Sequence, residues 1–156
     1  MIGLDTNVLV RYVAQDDPNQ SPRATRLIES LSTEAPGFVG VVSVVELAWV
    51  LSGCYASTKG EICEVLETLL RTKEIIVAQA DTVWKALRMF RDGNADFADC
   101  LIERTANEAG CSHTATFDRN PGRLTEIMLV NAVMEGITHR IALERSGVRA
   151  PSAPLR

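Results

Sequence analysis

Apolar and polar positions along the chain follow two patterns in alternation. Short β-branched runs bounded by turn residues give way to longer stretches in which apolar residues recur every three or four positions, the spacing of a helix with one buried face. Met1–Leu4 reads as a short strand, Val8–Ala14 as a short helix and Gln15–Asn19 (QDDPN) as a turn. Ser21-Pro22 offers an N-cap and a proline at the first helical position, opening a helix to about Thr33 that Pro36-Gly37 breaks. Phe38–Val42 reads as a buried strand, and Ser43 opens the next helix, to about Tyr55. Thr58-x-x-Glu61 is a capping box for a helix to about Lys73, with Ile62, Leu66, Leu69 and Leu70 on one face. Glu74–Ala78 is a short strand, Asp81 caps a helix ending near Gly93, and Asp96 caps another that stops at Ala109-Gly110. Ser112–Thr116 and Glu126–Val130 are the last strand candidates. Strands alternating with helices predict an α/β domain with a parallel sheet.

Composition narrows the class. A chain of 156 residues, 46% of them apolar, has the length of one domain and too much apolar content for a disordered one. It has no apolar run of the roughly 18 residues that a membrane span needs, and MIGLDTN is not a signal peptide. The expectation is a soluble, cytoplasmic protein. Cys54, Cys63, Cys100 and Cys111 form no Cys-x-x-Cys pair, so they read as reduced thiols rather than a zinc site. Residues 131–156 carry four arginines against two glutamates and read as a C-terminal extension, part surface helix with a disordered end. The 16 Lys+Arg against 20 Asp+Glu give a net charge of −4, which argues against capture of nucleic acid by a basic surface.

Four carboxylates fall where an α/β sheet presents chemistry, beyond the carboxyl ends of its strands or in the first turn of a helix. Asp5 follows the first strand, Glu46 lies early in the helix after Phe38–Val42, Asp99 follows the Asp96 cap, and Asp118 follows Ser112–Thr116. Each also has a local reading. Ser43-Val44-Val45-Glu46 is a capping box, Asp96 is an ordinary N-cap, and Asp99 complements a helix dipole. Asp118 suits a turn with Asn120-Pro121-Gly122, and Asp5 suits an Asx-type cap. Taken together they imply more. Two unit charges ~4 Å apart repel by about 4 kcal/mol at an effective dielectric of 20, a conflict that a divalent cation removes. An all-oxygen donor set favours Mg²⁺, with Mn²⁺ as a substitute, over zinc. Such an ion can activate water for attack on a phosphodiester. Thr6 and Thr116 stand beside Asp5 and Asp118 as candidates to orient ligands or bound water.

The segments LDTNVLVRYV (4–13), SVVELAWVL (43–51), ADFADCLIERTA (95–106) and TFDRN (116–120) resemble a PIN domain. Within that family they are most similar to the toxin ribonucleases (VapC) of VapBC toxin–antitoxin modules. The resemblance covers about residues 1–130. It implies a PIN-like fold, with helices flanking a parallel central sheet of about four to five strands, and Asp5 and Asp118 on neighbouring central strands. It maps the family's acids onto Asp5, Glu46, Asp99 and Asp118, with Asp96 as an assistant. It further implies a divalent-metal endoribonuclease acting on RNA, a homodimer, and a cognate antitoxin protein that occludes the site.

The expected chemistry is metal-assisted RNA hydrolysis. Asp5 and Asp99 hold the primary ion, Glu46 and Asp118 complete the site, and Arg11 and Arg119 are candidates for phosphate contacts. Two other classes stay open at this point. One is a PIN-like module that binds RNA or protein without cutting. The other is a phosphotransfer enzyme with Asp5 as nucleophile, which Asn7, in place of a second Asp, disfavours. Trp49 and Trp84 read as core or interface residues. The apolar faces within Val8–Val13 and Ile62–Leu70 read as core or as docking faces for a partner helix.

Overall fold

Val39, the last residue of the strand Gly37–Val39, is fully buried, and the core gathers around it. The computed structural model describes residues 1–117 and the strand 127–129. Its elements, in chain order, are β1 (Ile2–Gly3), α1 (Thr6–Ala14), α2 (Ser21–Glu29), β2 (Gly37–Val39), α3 (Val41–Tyr55) and α4 (Lys59–Arg71). They continue with β3 (Ile75–Val77), α5 (Ala80–Asp92), α6 (Phe97–Glu108), β4 (Thr114–Thr116) and β5 (Ile127–Leu129). The order confirms the α/β reading, and every strand pair is parallel.

The sheet is smaller than expected. Three strands pair in the order β1-β2-β3, and β4 pairs with β5 in a separate two-stranded sheet, so four to five strands in one sheet is corrected to three and two. Among the described strands β1 is hydrogen-bonded to β2 alone, and no ladder joins it to β4, the strand before Asp118. The reason lies in the length of β1. Ile2 and Leu4 donate to Pro36 and Phe38 on the β2 side. In a parallel ladder alternate residues turn their amides to opposite edges. A two-residue strand therefore leaves only Gly3 facing outward, too little to hold another strand in register.

One face of the sheet carries the core. Val39 and Val77 are in register and pack with Leu4, Leu9, Val44, Leu47, Leu66, Val83, Leu87 and Cys100. On the other face Phe38 and Ile76, also in register, stay 37% and 46% exposed. Gly37 allows a close approach: a Cβ there would lie 2.7 Å from the Leu4 side chain and 2.9 Å from that of Leu31, and both leucines would have to shift.

Helix boundaries show where local signals yielded to the fold. The Thr58–Glu61 capping box and the Asp96 cap form as read. Three others do not. Helix α2 starts at Ser21, but Asp17 Oδ1 takes the Asn19 and Gln20 amides at 2.8 and 2.7 Å, and Ser21 is buried and does not cap. Gln79, in the left-handed region at φ 50°, precedes α5, which puts Asp81 in the first turn instead of at the cap. Helix α3 begins at Val41 after an extended Gly40, two residues before Ser43, so the Ser43–Glu46 capping box is not made. Val41 packs against the core, and that burial outweighs its strand preference. The Ile62–Leu70 face goes to the core, with Ile62, Leu66 and Leu69 buried, and is not a docking face. Asp118, Arg119 and the extension 131–156 lie outside the described residues.

Candidate active site

Asp5 stands at the carboxyl end of β1, in the N-cap position of α1, with extended backbone. An N-cap aspartate ordinarily accepts a hydrogen bond from an amide of the first turn. Asp5 makes no such bond. Its exposed carboxylate accepts instead from the Asn7 side-chain amide at 3.2 Å. The helix starts without using this charge, and the acid faces solvent at the edge where α/β sheets bind ligands.

Thr6, the first residue of α1, is buried and donates from Oγ1 to Oε2 of Glu46 at 2.6 Å. This bond ties the start of α1 to the second turn of α3 and brings Glu46 to the residue beside Asp5. Glu46 is exposed, and its other oxygen, Oε1, takes no bond from a described side chain.

The third contribution comes from the start of α6. Asp96 accepts from the Asp99 amide at 2.8 Å, which fixes the first turn and sets Asp99 at its third position. Residues Asp96–Ala98 line a groove of about 300 Å³ whose opposite wall is Val45, Ala48, Trp49 and Ser52 of α3. The α6 start therefore packs beside the helix that carries Glu46. The buried Cys100 thiol registers the negative field here: burial, then Asp96 and Asp99, push it up to about 11. Thr116 closes β4, one residue short of the described limit before Asp118.

One expectation changes and another narrows. Arg11 is not a free cation: its guanidinium donates to Asp16 and, at 2.9 Å, to Gln20, so it braces the α1–α2 turn. Of the two readings of Trp49, core or interface, its 70% exposure leaves the interface. The sequence reading also passed over Glu103, which is 1% exposed on α6 and paired with Arg104. Its signal was the spacing, since an acid four positions after Asp99 falls on the same helix face.

Among the described residues no three His, Cys, Asp or Glu side chains gather closely enough to hold an ion. The donors present still suit a hard cation. They are carboxylates only, and Mg²⁺ binds through one or two of these while keeping several waters.

The sequence matches the family model of the PIN domain over residues 2–127. The chain belongs to the PIN domain family. It is also 26% identical over 117 residues to a VapC ribonuclease of Aquifex aeolicus (strain VF5), covering 74% of this chain and 86% of that relative. In this PIN domain the family match takes in all three described acidic positions and Asp118. No helix among the described residues is long and apolar enough to cross a membrane.

Proposed function

We propose that this PIN domain is a metal-dependent endoribonuclease, the toxin of a cytoplasmic toxin–antitoxin module, with RNA as substrate and a cognate antitoxin protein as partner. The observation that carries the reading is Asp5: an N-cap carboxylate that does no capping and stays exposed beside the Thr6–Glu46 bond. Membership of the PIN family and the likeness to a VapC ribonuclease support the substrate class.

In this reading Asp5 and Asp99 hold Mg²⁺, or Mn²⁺ in its place, and Glu46 and Asp118 complete the site. The bound ion would supply an activated water and neutralise charge on the phosphodiester. The protein's own groups do the positioning. Thr6 holds one oxygen of the Glu46 carboxylate, which leaves Oε1 as the acceptor for a water proton. Asp96 fixes the turn that presents Asp99. Thr116 would serve as an orienting hydroxyl and Arg119 as a phosphate contact.

The homodimer belongs to the proposal as well. Val42 and Trp49 of α3 are 72% and 70% exposed, with half-buried Val45 between them, and Ile102 of α6 is 57% exposed. This apolar strip fits a second copy of the chain. Cleavage of RNA by the purified protein tests the catalytic reading. It should stop on chelation and return with Mg²⁺; cleavage that persists in chelator contradicts it.

A further inference from the structure

A second groove, of about 250 Å³, lies between α1 and α2. Its floor is Val8, Ala24 and Leu27, and its rim carries Asn7, Arg11 and Arg23. Asn7 joins it to the site, since the same side chain donates to Asp5. The two arginines differ. Arg11 is held by Asp16 and Gln20, whereas Arg23 is exposed and has no ion-pair partner among the described residues.

We infer that this groove is a subsite for one nucleotide of the RNA next to the scissile phosphate, its base on the apolar floor and its phosphate on Arg23. The inference rests on the ribonuclease reading above. Three observations favour a nucleotide over a protein segment. The groove, of about 250 Å³, has room for one flat apolar group. Its free cation complements a phosphate in a chain that is otherwise acidic. Asn7, which lines it, is bonded to Asp5, as a nucleotide contiguous with the cut requires. Asn7 spends one N–H on Asp5 and keeps its carbonyl oxygen and second N–H for a base edge.

The test is cleavage of a randomised single-stranded RNA pool by wild type, Arg23→Ala and Ala24→Leu, with sequencing of the ends and a thermal melt of each protein. Wild type should show a base preference at one position adjoining the cut. Ala24→Leu fills the floor and should flatten that preference, with melting retained. Arg23→Ala does not touch the core; it should raise KM about fivefold and reduce the slope of log affinity against log salt by about 0.7, one single-strand phosphate contact. An unchanged preference in Ala24→Leu, an unchanged salt slope in Arg23→Ala, or wild-type ends without preference would overturn the subsite and leave the nuclease reading standing. RNA unaffected in both variants while binding of a partner protein is lost would assign the groove to that protein. Absence of ends from wild type would overturn the nuclease reading, and the subsite with it.

Discussion

Thr6 and Glu46, forty residues apart in the chain, meet in a hydrogen bond of 2.6 Å that joins the first turn of α1 to α3. A carboxylate with one oxygen pinned has one orientation, and a site that must present an acceptor at a fixed place needs that. Partners that orient site ligands commonly contribute 10–100-fold to activity or metal affinity. Thr6→Val keeps the volume and removes the donor, so RNA cleavage should fall about 10–100-fold. Thr6→Ser should restore most of it. A merely structural Thr6 would lower the melting temperature in both variants without this split, which a melt beside the kinetics would reveal.

The α1–α2 turn is held by a second cluster. Tyr55 Oη donates to Asp16 at 2.6 Å and Arg11 donates to the same carboxylate at 2.8 Å. The Tyr55 hydroxyl first, then Arg11, holds Asp16 below its ordinary value of 3.8. A carboxyl depressed on folding stabilises the fold above its unfolded value, and that contribution is lost as pH falls through the folded value. Tyr55 is raised above 10.0 by the same bond, so its share is present below that value and lost as pH rises through the folded one. Tyr55→Phe should move the Asp16 titration upward in a carboxyl NMR titration; an unmoved value would contradict the assignment.

Cysteine reactivity follows burial. Cys54 and Cys111 are exposed, whereas Cys63 and Cys100 are buried. A maleimide reagent on the native protein should label two thiols, mapped by mass spectrometry to Cys54 and Cys111. All four should label after denaturation. Native labelling of Cys100 would mean that α6 does not pack as described.

The apolar strip on α3 makes a prediction about mass. Wild type should sediment at about twice 17.0 kDa, and Trp49→Glu, which places a charge in the centre of the strip, should sediment as the monomer. A monomeric wild type would contradict the dimer.

The sequence made the local features readable and left the joins hidden. The Thr58–Glu61 box and the Asp96 cap use partners three residues apart, so the spacing carried them. Glu46 was assigned a local partner, Ser43, because the same spacing was present there. Its real partner, Thr6, lies on another helix, and no short-range pattern encodes that bond. Val41 and Val42 read as strand because they are β-branched, yet they open α3, where packing overrides propensity. Trp49 read as core or interface because α3 is apolar all round, a composition that does not tell which face meets the sheet. The positions of Asp5 and Asp99 were legible because each sits at a helix start that the pattern had already located, whereas the start of α3 before Glu46 was misplaced by two residues. The α1–α2 groove was not, since it arises from two helices brought together by the turn that Asp17 and Arg11 hold.

The exposed, non-capping carboxylate of Asp5 is proposed to make this PIN domain an RNA-cutting enzyme. Sequencing RNA ends after induced expression of wild type and of Asp5→Asn tests it most directly. Asparagine keeps the shape and the backbone, so both proteins should melt alike. New ends are expected with wild type and none with Asp5→Asn; the same ends from both proteins would rule out the proposed role of Asp5.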